Sequence, residues 1–140
     1  MNSHNIATHQ SYLNKVLLIA SSCGFEQIVQ WLIGVNVSIN IRGGRYGNSL
    51  QAASAGGHLK IVRLLIEHNA NVNAVGGIFG SAMQAAAFHG NEDIVNVLLL
   101  SPEIDINTSN GRYHNSLQAS SSKGRLKVVR LLLQHGADPN

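Results

Sequence analysis

Residues 43–53 read GGRYGNSLQAA, and this stretch decides the fold because it recurs. A near copy, GGIFGSAMQAA, begins 33 residues later at Gly76, and NGRYHNSLQAS begins a further 34 residues on at Asn110. A period of about 20–50 residues is typical of a solenoid, in which similar units stack along one direction. The repetition therefore predicts an array of similar units.

The same offset aligns positions well outside this stretch. Shifting the chain by 33 residues places Leu17 on Leu50 and Gly24 on Gly57, and one inserted residue near Glu103 brings the last copy into line. The alignment divides the chain into an N-terminal extension at 1–9 and four repeats at 10–42, 43–75, 76–109 and 110–140.

Each copy reads as two helices that follow a tight turn. In the second copy, Asn48 or Ser49 can cap a short helix, and Gly57 can end it because glycine adopts a left-handed conformation at little cost. The segment HLKIVRLLIEHN at 58–69 has one broad apolar face, as a second, packed helix requires. Asn69 lies where a helix commonly closes with a positive φ, which asparagine tolerates.

The third copy departs from this pattern after its second helix. Pro102 cannot take the positive φ that is predicted at Asn69 and at its counterparts Asn36 and Gly136. We therefore expect the second helix of this copy to end at or before Ser101.

One helix pair of this size cannot bury its own apolar face, so neighbouring pairs must cover it. Small residues such as Ala52 and Ala85 allow the short helices to approach closely, and the aliphatic residues of the second helices fill the layer behind. The first copy is less regular. Its Trp31 takes the place of Leu64, where we expect a buried side chain, and this copy is interpreted as a terminal cap.

These features resemble the ankyrin repeat, whose consensus runs from a turn through Thr-Pro-Leu-His, a short helix, Gly and a longer helix to Gly-Ala-Asp-Val-Asn. The resemblance is carried by NSLQAASAGGHLKIVRLLIEHNANVN at 48–73 and by NSLQASSSKGRLKVVRLLLQHGADPN at 115–140. It implies an all-α fold, an ankyrin-repeat solenoid of four helix-turn-helix repeats with projecting β-turns.

The chain departs from the family pattern at the start of the short helix. Asn48 and Gln51 stand where the family has Thr and His, so the resemblance implies that they must replace the hydrogen bonds of those residues, as must Gln84 and Gln118. The stretch GGRYGNSLQAASAGGH also resembles the variant repeat of fungal multidomain signalling proteins, in which ankyrin arrays often follow an NTPase module.

Composition limits the class of protein. Apolar residues make up 44% of the chain and charged residues 12%, and the formal net charge is +3, which is typical of one folded domain. Cys23 is the single cysteine, which agrees with a reducing compartment. No secretory signal is evident, and no apolar run approaches the roughly 20 residues of a membrane span. We expect an intracellular protein with no membrane contact, in the cytoplasm by default, with the nucleus left open.

The sequence contains no motif for catalysis or for binding a metal or a phosphate. Cys23 and His89 lie two repeats apart, which is roughly 20 Å at about 8–10 Å per helix layer, whereas a catalytic dyad needs about 3 Å. The glycines of GGRYG suit a turn and lack the lysine of a phosphate site. We therefore expect no enzymatic activity, no cofactor and no metal.

The resemblance implies a module that binds a partner protein through its concave face and turn tips. At the tips, Tyr46, Phe79 and Tyr113 recur in register, which favours a structural role. The neighbouring residues are free to vary and to contact a partner. The predicted partner-binding residues are Arg45, Ala55, Gly56, Ile78, Phe88, His89, Arg112 and Lys123.

Phe88 and His89 are the centre of this prediction. Their counterparts Ala55 and Gly56 have almost no side chain, so we expect a hollow beside an aromatic ledge, with Lys123 on its far rim. A segment of the partner protein would occupy the hollow.

Two alternatives remain open at this stage. The last repeat is as apolar as an internal one, so the array could associate with itself through this uncapped C-terminal repeat. The basic residues of the same repeat could instead bind nucleic acid, but this is the minor alternative, because a solvated helix face explains them better. These residues are Lys123, Arg125, Lys127 and Arg130.

Overall fold

Helix pairs joined by tight turns build the whole described part of the chain. The computed structural model describes residues 3–140, apart from the side chain of His4. It contains the helices α1 Ser3–Cys23, α2 Glu26–Gly34, α3 Ser49–Gly56, α4 Leu59–Glu67, α5 Ala82–His89, α6 Glu92–Leu99, α7 Ser116–Ser122 and α8 Leu126–Gln134. Residues 3–140 contain no strand, and two isolated bridges close turns. The predicted all-α class is confirmed.

The helices form two layers. The inner helices α1, α3, α5 and α7 pack in that order, and the outer helices α2, α4, α6 and α8 pack in the same order behind them. Each inner helix also packs against the outer helix that follows it in the chain. This arrangement is a stack of four helix pairs, as the period predicts.

Local sequence sets where the helices begin and end. Asn48 caps α3 by accepting a hydrogen bond from the backbone N–H of Gln51, and Gly57 ends α3 with a φ of 76°. Asn69 closes α4 with a φ of 67°. In the third repeat α6 ends at Leu99, so the prediction that this helix ends at or before Ser101 is confirmed.

The core lies between the two layers. Leu50, Met83, Ile61 and Ile94 are almost fully buried, and the alanines of α3 and α5 let these helices pack closely. The prediction for Trp31 is wrong, because its side chain is 58% exposed. The equivalent residues of later repeats face the preceding outer helix, and no described outer helix precedes α2.

The first repeat differs from the others at its start. Because α1 begins at Ser3, residues 3–9 continue the first helix, and α1 also runs through positions 10–14, which correspond to the turns of the later repeats. Residues 1 and 2 of the predicted N-terminal extension lie outside the described residues. No helix in residues 3–140 is long and apolar enough to cross a membrane.

Candidate functional site: the turn–helix face

Buried glutamines couple two of the three turns, 76–80 and 110–114, to the preceding repeat. Gln51 Nε2 donates to the carbonyl oxygens of Gly76 and Gly80 at 3.0 and 3.1 Å. Gln84 Nε2 donates to those of Asn110 and His114 at 2.6 and 2.9 Å. The prediction that these glutamines supply the bonds of the family histidine is confirmed.

The prediction fails for Gln118. Its backbone N–H bonds to the Asn115 side chain, but its own side chain is exposed and makes no hydrogen bond within the described residues. The carbonyl oxygens that Gln51 and Gln84 reach belong to the turn of the next repeat, and residues 3–140 contain no equivalent turn after the one at 110–114. The Gln118 side chain is therefore exposed in the part of the chain that the structure describes.

The held turns and the inner helices share one surface, which we name the turn–helix face. It consists of the turns 43–47, 76–80 and 110–114 together with the last residues of the inner helices. The turns also contact each other, because the Ile78 N–H donates to the Arg45 carbonyl oxygen at 3.1 Å. The Arg42 guanidinium bonds to the Val75 carbonyl beside them.

Four aromatic rings run along the turn–helix face. The rings of Tyr46 and Phe79 stack with centroids 6.2 Å apart, and Phe79 contacts Phe88 at 5.0 Å. Phe88 in turn contacts Tyr113 at 4.9 Å. This aromatic ladder joins three repeats, and all four rings are half-buried. The predicted structural role of the turn aromatics agrees with these contacts.

His89 lies against the same ladder. Its ring centroid is 5.3 Å from that of Phe79 and 5.0 Å from that of Phe88. Partial burial lowers the pKa of His89 below its usual value, and the positive charge of Arg125 lowers it further. His89 is therefore held in its neutral form over a wider pH range than a free histidine.

Exposed cations flank the ladder. The guanidinium carbons of Arg45 and Arg112 each lie 5.9 Å from the centroid of the adjacent tyrosine ring, and Lys123 Nζ lies 4.9 Å from that of Phe88. A cation within about 6 Å of a ring centroid is attracted to the ring face. Phe88, His89 and Lys123 thus form one cluster, whereas Arg45, Ile78 and Arg112 belong to the turns.

The hollow predicted beside Phe88 is not built from Ala55 and Gly56. A Cβ on Gly56 would lie 2.5 Å from the His58 ring and 2.8 Å from the Ser22 carbonyl oxygen, so this position is already filled. The His58 ring is held there because its Nε2 lies 2.9 Å from that carbonyl oxygen.

The cavity of this face lies one repeat earlier. It has a volume of about 300 Å³ and sits between the end of α1 and the first turn. Leu18, Ile19 and Ala52 form its apolar wall, and Arg45 and Tyr46 lie on the side of the turn. It is at the small end of the about 300–1,000 Å³ range of ligand pockets, so it suits a side chain or two rather than a cofactor.

Sequence reasoning missed this cavity and, apart from Arg45, the residues that line it. The residues of α1 that form it, such as Ser22 and Cys23, become neighbours of Gly43 and Gly44 only through the stacking of the first two repeats. The two glycines of the turn could have predicted the cavity, because a residue without a side chain leaves space beside it.

The residues that the structure describes contain no group of three or more His, Cys, Asp or Glu side chains that could hold a metal. Cys23 is an exposed free thiol at the end of α1, and His89 ends α5, two inner helices further along the stack. The arrangement offers shape, aromatic surface and positive charge, which are the means of a binding protein.

A stack of helix pairs with projecting turns defines the class of α-solenoid repeat proteins. The family model for ankyrin repeats, described as three copies, matches residues 17–110 and again residues 79–140. The chain therefore belongs to the ankyrin repeat family, whose members generally act as protein–protein interaction modules. A comparison with curated proteins found no significant match.

Proposed function

We propose that the chain binds a partner protein through the turn–helix face. The observation that carries this proposal is the aromatic ladder with exposed Arg45 and Arg112 beside it. Tyrosine, tryptophan and arginine are enriched among the residues that dominate protein interfaces. Here the rings are fixed by mutual contact, so little side-chain entropy is lost when a partner covers them.

The test is a comparison of two double variants in partner capture from a lysate of the source cells. Arg45→Ala with Arg112→Ala removes two cations from the turn–helix face. Lys60→Ala with Arg63→Ala removes two exposed cations from the outer helix α4 and serves as the matched control. We expect the first variant to lose specific proteins that the wild type and the control retain. Identical capture by both variants would contradict the placement.

Self-association is a second candidate, and the uncovered C-terminal face favours it. Leu117 is half-buried where its counterparts Leu50 and Met83 are 1% and 2% exposed. Leu133 is 46% exposed, whereas its counterpart Leu99 is half-buried. These side chains could pack against another copy of the chain.

The opposite end of the stack also exposes apolar side chains. Ile28 is 41% exposed, whereas its counterparts Ile61 and Ile94 are fully buried. Trp31 lies near it in α2, one helical turn further on. A head-to-tail contact between unlike faces leaves a free face at each end of the assembly unless a ring closes, so it would give assemblies that grow with concentration.

Sedimentation velocity at rising concentration tests this candidate. We expect Leu133→Glu to abolish any growth in mass, whereas Leu100→Glu, at an even more exposed leucine at the end of α6, should not. A wild-type chain that stays monomeric at all concentrations would rule self-association out.

We also propose that these repeats belong to an array of the kind found in fungal NTPase-linked signalling proteins, and that they act in the cytoplasm. The glutamine bridges of Gln51 and Gln84 support the first point, since they account for the variant motif NSLQ. The exposed thiol of Cys23 suits a reducing compartment. An NTPase module in the same reading frame and a cytoplasmic fluorescent fusion would support these points, and their absence would contradict them.

A further inference from the structure

Charge is separated between the two layers of the stack. The seven acidic residues all lie in outer helices or in the loops that directly follow them: Glu26, Glu67, Glu92, Asp93, Glu103, Asp105 and Asp138. The inner helices and the three turns contain none. The net charge of +3 therefore understates the positive character of the turn–helix face.

The cations of this face have no carboxylate partner. Among residues 3–140 the one salt bridge joins Lys127 to Glu92, and both belong to outer helices. Arg45, Arg112 and Lys123 lie over aromatic rings instead. A ring attracts a cation without neutralising it, so these charges stay available to an anionic ligand.

The positions of the cations suit an extended chain. Arg45 and Arg112 belong to turns two repeats apart, which is about 16–20 Å at 8–10 Å per helix layer. A peptide with a rise of about 3.3 Å per residue covers this distance in about six residues. The cavity between α1 and the first turn lies at the Arg45 end of this path.

We propose that the partner segment is an acidic, extended peptide that carries one bulky apolar side chain. Its carboxylates would meet Arg45, Arg112 and Lys123, and its apolar side chain would fill the cavity beside Leu18 and Ile19. This inference rests on the proposed function and names the chemistry of the partner.

A nucleic acid fits the same face less well. Proteins that bind single strands offer aromatic rings on which bases stack. Here the rings contact one another, and the cations cover Tyr46, Tyr113 and Phe88. The ladder therefore has few free ring faces, and the cavity wall formed by Leu18, Ile19 and Ala52 is apolar.

The experiment is a selection from a phage library of random dodecapeptides on the immobilised wild-type chain. Enriched peptides are synthesised with a fluorescent label and titrated by anisotropy. We expect enrichment of peptides with several Asp or Glu residues around a Leu, Phe or Trp. Binding should weaken several-fold between 50 and 300 mM NaCl, since salt screens exposed charges.

Two variant pairs test the placement. Reversal of the three face cations by Arg45→Glu, Arg112→Glu and Lys123→Glu should weaken binding at least about tenfold, because like charges then oppose the peptide. Reversal of three exposed outer-helix cations changes the net charge equally and should have little effect. The control substitutions are Lys60→Glu, Arg63→Glu and Arg130→Glu.

The second pair tests the cavity. Ile19→Ala removes part of the cavity wall and should weaken binding about fivefold through lost apolar contact. Ile6→Ala, at a similarly exposed isoleucine of the same helix, should not. Circular dichroism spectra that match the wild type would show that both variants fold.

The outcomes separate this inference from the proposed function. Enriched peptides that are neutral or basic, yet lose binding in the face variant, would overturn the acidic partner and leave the binding face in place. No enrichment, or binding that is equal in the face variant and its control, would overturn both. Tighter binding of a labelled single-stranded DNA 20-mer than of any peptide would assign the face to nucleic acid.

Discussion

Gln84 donates its side-chain amide to the backbone carbonyl of Asn110, 2.6 Å away in the turn of the following repeat. The turn is closed by its own hydrogen bond, in which the Asn110 N–H donates to the His114 carbonyl oxygen at 2.7 Å. The same glutamine also bonds that second carbonyl oxygen. One buried side chain therefore fixes both ends of the next turn, and with it the tip residues of the turn–helix face.

Loss of this bridge should destabilise the stack. Gln84→Ala removes the side-chain donor from two backbone carbonyls, of which that of His114 keeps the Asn110 N–H, and this should lower the free energy of unfolding by about 2 kcal/mol. Gln118→Ala is the matched control, since the exposed Gln118 side chain makes no such bond, and it should change stability by less than about 0.5 kcal/mol. Urea unfolding followed by circular dichroism measures both. Equal losses would contradict a bridging role for the amide.

Gly80 should be intolerant of any side chain. Its φ is 97°, and a Cβ there would lie 2.5 Å from both Gln84 Oε1 and the Asn110 carbonyl oxygen. Gly80→Ala should therefore combine left-handed strain of about 1–2 kcal/mol with a clash against backbone, for a total above about 2 kcal/mol. Differential scanning calorimetry gives the loss.

The control is Gly44→Ala, at a φ of 68° with open space around the Cβ position. It carries strain without a clash, so it should be the milder of the two substitutions. In the fourth repeat His114 occupies the position of Gly80 and has a φ of 58°. No equivalent described turn packs against it, so a side chain is tolerated where the left-handed conformation occurs without a clash. A Gly44→Ala loss as large as that of Gly80→Ala would argue that conformation alone sets the cost.

The sequence was sufficient to predict the fold because four copies of the repeat indicate the same pair of helices. Asn36, Asn69 and Gly136 all have positive φ, as their aligned positions predict. The early end of α6 before Pro102 follows from the fixed φ of proline. Local rules of helix capping and proline geometry therefore predicted the ends of the later helices, but not the start of α1.

The site was predicted less well because it depends on contacts between repeats. The His58 ring fills the space beside Gly56, and no local pattern shows which residue reaches into that space. Gln118 has the same neighbours in sequence as Gln51 and yet lacks its bonds, because the partner turn is not among the described residues. The absence of acidic residues from the turns, by contrast, follows from the sequence as soon as the helices are assigned.

Phe88 should contribute to stability through its ring. It contacts three other rings and Lys123, and an aromatic pair contributes about 0.5–1.5 kcal/mol beyond its buried area. Phe88→Leu keeps apolar bulk and removes the ring contacts, so it should lower the free energy of unfolding by about 1–2 kcal/mol. Phe25→Leu, at an exposed ring outside the ladder, is the control for urea unfolding. A larger loss at Phe25 would contradict the importance of the ladder.

The lowered pKa of His89 makes stability depend on pH. The unfolded chain binds a proton to this histidine near its ordinary value of about 6.5, whereas the native state binds it only at lower pH. Between these two values the unfolded state holds more protons, so the free energy of unfolding rises with pH across the window and falls as pH drops through it.

His89→Gln should remove this part of the pH dependence. The melting temperature of the wild type minus that of this variant should be larger at pH 7.5 than at pH 5. At low pH the native state of the wild type resists protonation of His89, whereas the variant has no histidine at this position. Arg125→Gln keeps the histidine and removes the nearby charge, so an NMR titration should show the pKa of His89 rising toward its ordinary value but staying below it, since burial is the larger cause. A His89 that titrates identically in the wild type and in Arg125→Gln would mean that burial among the rings acts alone.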